Sequence, residues 1–198
     1  MKSKITVTDE ATQAELARLA STVDGPRRQG LMQVLGKTHE QTLHRHFLRK
    51  NQKPNKRGWK KTNFWARIRR ATSYTGATKS NATVTIADPA MAAKIYGATI
   101  KHPQDKFLAL PMREEVYGVR ARAKTIPDLF FIPRWVNGRK VDQGFLVKKQ
   151  PDDSLRFYYF LTRSVTTPKD PTALPTEAES GRALVQEAQD YIARQIKR

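Results

Sequence analysis

The stretch "VNGRK", residues 136–140, places an Asn-Gly pair between two apolar runs. Asn-Gly is strongly favoured in the two-residue turns that join antiparallel strands. The flanking runs, residues 129–132 and 144–147, are therefore predicted to be strands of an antiparallel sheet.

Further strands are predicted on both sides of this turn. "LRFYYFLTRSV" at 155–165 is rich in aromatic and β-branched residues, and "ATVTIAD" at 82–88 alternates in polarity, as a half-buried strand does. "MAAKIYGA" at 91–98 favours a helical turn that ends at Gly97. "ATIKHPQDKFLALP" at 98–111 predicts a second hairpin, with strands at 99–101 and 107–110 around a turn at residues 103–105.

Helices are predicted at both ends of the chain. Residues 8–23 form an amphipathic run stopped by "DGP" at 24–26, and a second run extends from Pro26 to about Lys50. A short helix is expected over 62–70. The predicted fold class is α+β, with N-terminal helices and a C-terminal helix packed on an antiparallel β-sheet and with a long basic loop.

The C-terminal part predicts a linker followed by a helix. "TPKDPTALPTEAESG" at 167–181 contains three prolines, which indicates an extended linker, and Thr176 with Glu179 matches a capping box. The expected domains are residues 1–165, with a basic helix-loop at 37–70, and a tail at 166–198. The apolar stripe of the last helix either folds back on the sheet or docks on a neighbouring subunit. The candidate docking residues are Leu184, Ala188, Tyr191, Ile192 and Ile196.

Charge is the most unusual property of this 198-residue chain. Its 37 Lys and Arg against 18 Asp and Glu give a net charge of +19, and the segment 37–70 alone contributes +11, from 12 basic residues and Glu40. Such an excess attracts polyanions or acidic protein faces. Cysteine is absent, which excludes disulfides and thiolate sites. The start of the chain does not match a signal peptide and no run is apolar enough to cross a bilayer, so we expect no membrane partner and synthesis in a cytoplasm.

Within the segment 51–70, "NQKPNKRGWKKTNFWARIRR", basic residues alternate with aromatic ones and no acid occurs. The cations could contact phosphates and the aromatic rings could stack on bases. Alternatively, the aromatic residues anchor the loop in the core, an interpretation that the spacing favours for Phe64 and Trp65 more than for Trp59. The predicted DNA- or partner-contacting residues are Lys53, Lys56, Arg57, Lys60, Lys61, Arg67, Arg69 and Arg70.

No pattern in the sequence indicates catalysis, and we expect a protein that is not an enzyme and has no cofactor or metal. His39 and His46 share a helix face but stand two turns apart, which is too far for one metal ion. The adjacent carboxylates Glu114 and Glu115, and those of Asp152 and Asp153, are interpreted as solvated surface. No phosphate-binding loop or hydrolase motif is present.

The order of the elements resembles the phage virion morphogenesis family of Mu-like phages, over about residues 31–132. The resemblance is carried by "HFLRKNQKPNKRGWKKTNFWARIR", the strand "ATVTIADP", "KIYGATIKHPQDKFLALPMREEVYGVRAR" and "DLFFI", and above all by Tyr96-Gly97 leading to "FLALP" at 107–111.

This resemblance implies a structural subunit of the virion neck or head-proximal tail end, made in the host cytoplasm. It also implies a closed homo-oligomeric ring, with six subunits expected by analogy, and neighbouring neck or tail proteins as partners. The basic loop would then face phage DNA in the channel, a ring neighbour, or both. The alternative is a free-standing basic nucleic-acid-binding protein.

Overall fold

The computed structural model describes residues 10–21, 23, 26–54, 57–102, 104, 106–119 and 126–196. The fold is α+β, as predicted, and every strand pair is antiparallel. The helices are α1 (Glu10–Ser21), α2 (Pro26–Gln52), α3 (Phe64–Arg70), α4 (Pro89–Tyr96) and α5 (Glu177–Ile196). The strands are β1 (Thr72–Ala77), β2 (Ala82–Ile86), β3 (Ala98–Lys101), β4 (Leu108–Pro111), β5 (Phe130–Val136), β6 (Arg139–Lys149), β7 (Leu155–Thr162) and β8 (Ser164–Thr167).

The chain forms two compact units. Unit 1 comprises residues 1–53, 63–96 and 169–198, and unit 2 comprises residues 54–62 and 97–168. This division differs from the expected one at residue 165, because α5 returns to the N-terminal helices instead of forming a separate tail. No helix in the described ranges is both long and apolar enough to cross a bilayer.

The core of the helical part of unit 1 lies between α1, α2 and α5. Leu19, Leu31, Met32, Leu35 and Ala188 form a buried cluster, and α5 adds Leu184, Val185, Tyr191 and Ile192 around it. The predicted stripe of α2 is confirmed, since Leu31, Leu35, Leu43 and Phe47 are all buried. Of the two alternatives for the C-terminal helix, the structure has folding back, but onto α1 and α2 and not onto a sheet.

A second core in unit 1 joins α2 to the β1–β2 hairpin, α3 and α4. Its buried members are Leu43, Phe47, Ile68, Ile86, Met91 and Ala173. Strand β1 (TSYTGA) was not predicted, because polar residues dominate it. It is stabilised by antiparallel pairing with the predicted strand β2. Gly36 permits the close approach of this hairpin to α2, since a methyl group there would lie 2.6 Å from two ring carbons of Tyr74.

The segment 169–176 corrects the predicted linker. Ala173 is buried, and the backbone amide of Asp170 donates to the carbonyl of Lys94 at 2.7 Å. The prolines extend this segment, but its apolar side chains fill the second core, so it is packed and not a free spacer. The predicted capping box is confirmed by hydrogen bonds of 3.2 Å in both directions between Thr176 and Glu179.

Unit 2 is built on a four-stranded sheet in the order β4-β7-β6-β5. The predicted Asn-Gly turn is confirmed: Asn137 (φ 49°) and Gly138 (φ 73°) join β5 to β6. Positive φ at both central residues is the geometry of a type I′ turn, which Asn-Gly adopts at low cost. Val116, Tyr158, Tyr159 and Leu161 form the buried cluster on this sheet.

The second predicted hairpin is wrong. Strand β3 pairs with β8, in the register Ala98↔Thr167, whereas β4 pairs with β7, in the register Leu108↔Thr162. The two strands therefore belong to different sheets. Turn-forming residues between them indicate a change of direction, but they do not determine which strands pair; residues 103 and 105 of that turn lie outside the described ranges.

Candidate functional site

The predicted contact residues are divided between the two units. Lys53, Phe64, Trp65, Arg67, Arg69 and Arg70 belong to unit 1, whereas Arg57, Trp59, Lys60 and Lys61 belong to unit 2. Lys56 lies outside the described residues. The basic segment therefore contributes residues to both units, and each group is described on its own unit.

In unit 1 the two aromatic residues of the segment lie against the second core. Trp65 stacks on the buried ring of Phe47, with 5.8 Å between centroids and an interplanar angle of 15°, and Phe64 meets Trp65 edge to face at 5.0 Å. Offset stacking and edge-to-face contacts are favourable aromatic geometries. Both rings are half-buried, so their main contribution is to fix the basic helix α3 in place.

Helix α3 is also held through its first turn by a side chain from α2. The Asn51 side-chain oxygen accepts a hydrogen bond from the Ala66 amide at 3.2 Å, which satisfies one of the free donors at the helix start. Asn63, just before the helix, has left-handed backbone geometry (φ 54°) and no capping side-chain bond of its own. Asn51, from α2, thus caps the start of α3 in place of the residue that directly precedes this helix.

The cations of unit 1 differ in their partners. Arg67 is paired with Asp88 at 2.8 Å, and its guanidinium lies 5.5 Å from the Phe64 centroid. Lys53, Arg69 and Arg70 form no ion pair with any residue in the described ranges. Lys53 and Arg70 are exposed and Arg69 is half-buried. Three charges of the predicted set therefore remain available to a partner.

Lys50, which the sequence analysis did not single out, organises this region. Its Nζ atom lies 4.4 Å from the Trp65 centroid and donates to Asp170 at 3.0 Å and to the Thr172 carbonyl at 2.6 Å. Burial raises the pKa of Asp170, but hydrogen bonds from Thr172 and Lys50 outweigh it and lower that pKa to about 2. Lys50 is thus a structural cation that joins α2 to the C-terminal segment.

In unit 2 two side chains of the segment contact the end of β4 and the residues that follow it. The Arg57 guanidinium lies 4.7 Å from the Trp59 centroid and donates to the Pro111 carbonyl at 3.3 Å. Trp59 in turn meets Tyr117 edge to face at 5.5 Å. Trp59 is therefore half-buried, although its neighbours Gly58 and Lys60 suggested exposure.

The Glu114 carboxylate holds the backbone of Lys60 by a hydrogen bond. The Lys60 amide donates to the Glu114 carboxylate at 2.8 Å, while the side chains of Lys60 and Lys61 are exposed and form no ion pair within the described ranges. Glu115 is paired with Arg156 at 3.2 Å. Lys60 and Glu114 line an open depression together with Trp59, Met112, Arg113 and Glu115. The two carboxylates thus hold the chain together, whereas the lysine ammonium groups face outward.

The histidines of α2 serve packing. The Nε2 atoms of His44 and His46 each lie 3.1 Å from a carbonyl oxygen, of Thr72 and Thr172 respectively. A carbonyl only accepts, so each Nε2 carries the proton. Burial lowers the pKa of His39, and burial is also the main cause that lowers the pKa of His46. No group of three metal-binding side chains occurs among the described residues.

The candidate docking residues of α5 are already in use within their own chain. Ala188 is fully buried, and Leu184, Tyr191 and Ile192 pack against the helical core of unit 1. The Tyr191 hydroxyl donates to the Arg27 carbonyl at 2.9 Å. The side chain of Ile196 lies outside the described residues. The stripe of α5 is therefore core material, as a single amphipathic stripe commonly is.

The contacts that were not predicted join residues far apart in the sequence. Lys50 and Asp170 are 120 residues apart, and Lys60 and Glu114 are 54 apart. Lys50 lies within a run of cations in the sequence, so nothing local distinguished a half-buried, paired lysine from an exposed one. Glu114 directly follows a basic residue, a pattern that indicates surface.

Comparison of the chain with models of protein families, with curated proteins and with solved structures finds no match. A function therefore has to be argued from the residues themselves.

Proposed function

We propose that the protein is a structural, non-enzymatic subunit of a tailed-phage virion at the head–tail junction or the head-proximal tail end. In this proposal it forms a closed ring, with six copies expected, and takes part in joining tail to head. The proposal takes its starting point from the resemblance over residues 31–132. Its partners are copies of itself, other neck or tail proteins, and DNA in the channel.

One observation carries the proposal: the described parts of the basic segment are anchored by packing and hydrogen bonds, yet several of their charges form no ion pair. Its aromatic residues and amides are anchored by contacts within each unit. Meanwhile Lys53, Lys60, Lys61 and Arg70 are exposed and free of ion pairs in the described ranges. On either unit, cations carried by an anchored backbone fit a fixed acidic neighbour or a polyanion that passes close by, since little ordering entropy is lost on contact.

Exposed apolar residues support the ring. Tyr96 is 70% exposed and Ile100 46% exposed, and both fall in the stretch that carries the resemblance. Both side chains would be removed from water if they lie in contacts between neighbouring ring subunits. A closed ring uses two different faces of each subunit, so surface on both units can be buried.

The experiment is electron microscopy of lysates from a phage or prophage host in which the gene is deleted. We expect DNA-filled heads lying apart from finished tails, and joined particles when the wild-type gene is supplied in trans. A supplied Lys60→Glu, Lys61→Glu variant should fail to join them. Lys79→Glu, which reverses an exposed lysine in the β1–β2 turn, is the matched control. Joined, normal particles from the deletion strain would contradict the proposal, and tails of uncontrolled length would indicate a tail terminator instead.

A second candidate, a free-standing basic nucleic-acid-binding protein, is favoured by the same unpaired cations. It predicts binding of DNA by the isolated protein at physiological salt, with a steep fall as salt rises. A ring subunit is expected to bind isolated DNA weakly or only when assembled. Titration of the purified protein against duplex DNA at several salt concentrations separates the two candidates.

A further inference from the structure

The end of the β5–β6 hairpin exposes the most accessible tryptophan of the described residues. Trp135 is 63% exposed and the adjacent Val136 is 38% exposed. Trp135 forms no ring contact with another described residue. Trp59 and Trp65 are both half-buried. The solvent-exposed indole therefore presents a large apolar surface that contributes little to the packing of the fold.

The same hairpin end is cationic. Residues 130–141 contain Arg134, Arg139 and Lys140 and no acid. Arg134 donates to Gln143 at 2.6 Å, whereas Arg139 and Lys140 form no ion pair in the described part of the chain. The next acid along β6, Asp142, is already paired with Arg163. The charge around Trp135 therefore complements an anionic partner.

The register places the ring and a cation on one face. Trp135 lies directly opposite Lys140, and Val136 lies opposite Arg139. Opposed residues of an antiparallel pair project from the same side of the ribbon, with Cβ atoms about 5 Å apart. A flat ring stacked on Trp135 would therefore have the Lys140 ammonium beside it, within reach of a phosphate attached to that ring's sugar.

The edge of β5 is poorly suited to adding a strand from another protein. Pro133 lies in the middle of the strand and has no amide hydrogen to donate, and the register shifts between Pro133 and Trp135. Both features are devices that protect sheet edges from further pairing. A second copy of this chain, which carries +19 itself, would bring like charges to this cationic end.

We propose that this hairpin end binds single-stranded nucleic acid, with a base stacked on the Trp135 indole and the adjacent phosphate neutralised by Lys140 on the same face. A single strand is favoured over a duplex because its bases offer a free flat face for stacking. The inference does not rest on the proposed role in the virion, since it uses other residues and lies outside the region of resemblance.

The test measures binding of a fluorescently labelled 30-nucleotide poly-dT strand, and of a duplex of equal length, by the full-length protein at several salt concentrations. We expect Trp135→Ala to weaken binding of the single strand about tenfold, and Trp135→Phe, which keeps a stacking ring, to retain most of the affinity. Lys140→Ala should reduce the salt slope for the single strand by roughly 0.7. Leu48→Ala and Lys101→Ala, which remove an exposed apolar side chain and an exposed cation elsewhere, are the matched controls.

Three results would overturn the inference. The first is equal affinity of the wild-type protein and Trp135→Ala for the single strand, and the second is no measurable binding by the wild-type protein. The third is a Trp135→Ala effect seen only on self-association in sedimentation experiments, which would make the hairpin end a contact between copies. Unfolding curves of both Trp135 variants identify any loss of affinity that follows from misfolding, and Trp135→Phe then carries the decision.

Discussion

The Tyr191 hydroxyl passes so close to Gly30 that a methyl group on that glycine would lie 2.5 Å from the hydroxyl oxygen, while the next ring carbon would be an ordinary 3.5 Å away. The hydroxyl is held there by its hydrogen bond to the Arg27 carbonyl. The lack of a side chain at Gly30 therefore leaves the room on α2 that the Tyr191 hydroxyl of α5 occupies. Replacing it tests whether α5 packs in its own chain as described.

We expect Gly30→Ala to destabilise the protein by about 1 kcal/mol, because displacing Tyr191 costs more than the roughly 1 kcal/mol that alanine gains in helix propensity. In a Tyr191→Phe background the offending oxygen is gone, so the same substitution should become neutral or stabilising. A double-mutant cycle from urea unfolding measures this change of sign. Gln33→Ala, on the exposed side of α2, is the control, and purely additive effects would contradict the packing.

Stability should fall as the pH drops from about 4 to about 2, by up to roughly 2 kcal/mol from Asp170 alone. Its pKa is lowered from 3.8 to about 2 in the folded state. The folded state therefore binds fewer protons than the unfolded state in this window, and the stabilisation present above pH 4 is lost on acidification. Asp170→Asn should flatten this part of the curve of unfolding free energy against pH. An unchanged slope would show that Lys50 and Thr172 do not hold this carboxylate.

A second, separate decline is expected between pH 7 and pH 5. In the folded state the pKa of His46 lies below its ordinary value of 6.5, mainly because of burial. The folded protein therefore keeps His46 neutral at pH values where the unfolded chain is already protonated. The unfolded chain takes up the proton first, so stability is lost as the pH falls below about 6.5. His46→Gln, whose amide can still donate to the Thr172 carbonyl, should make the decline shallower. His102→Gln, in unit 2, serves as control, and an equal effect of the two substitutions would argue against a lowered pKa of His46.

Tyr159→Phe should be neutral or stabilise the protein by up to about 1 kcal/mol. The Tyr159 side chain is 1% exposed, and its hydroxyl has no hydrogen-bond partner among the described residues. Removing an unsatisfied buried hydroxyl costs nothing in lost bonds. Tyr191→Phe, by contrast, removes a formed hydrogen bond and should destabilise by about 1 kcal/mol. A clear destabilisation by Tyr159→Phe in thermal or urea unfolding would mean that the hydroxyl is satisfied in solution.

Local patterns predicted much of this fold. The Asn137-Gly138 turn, the capping box at Thr176 and the buried stripe of α2 each depend on residues within one or two turns of the chain. Their physical causes, backbone sterics, free amides and helical periodicity, act locally and can therefore be read from sequence.

Pairing over long distances could not be predicted in this way. Strands β3 and β4 follow one another but find partners more than 40 residues later, in β8 and β7. The charge of Lys50 indicated surface, yet its ammonium group lies over the Trp65 ring and is paired with Asp170. In both cases the deciding contact is made by a residue far away in the sequence, which a local pattern does not include. The candidate site was predicted as a set of residue types, but its division between two units was not.

The pairing of β3 with β8 has a consequence for the order of folding. Because Ala98 faces Thr167 in this ribbon, the segment 97–168 starts and ends at the same place, and just beyond it the Asp170 amide reaches the Lys94 carbonyl. Once this segment has formed, α5 closes a loop of a few residues instead of one of about seventy, which lowers the entropic cost of closure by roughly 2–3 kcal/mol. Because α5 follows this segment in the chain, the core between α1, α2 and α5 can be completed only after residues 97–168 have been synthesised.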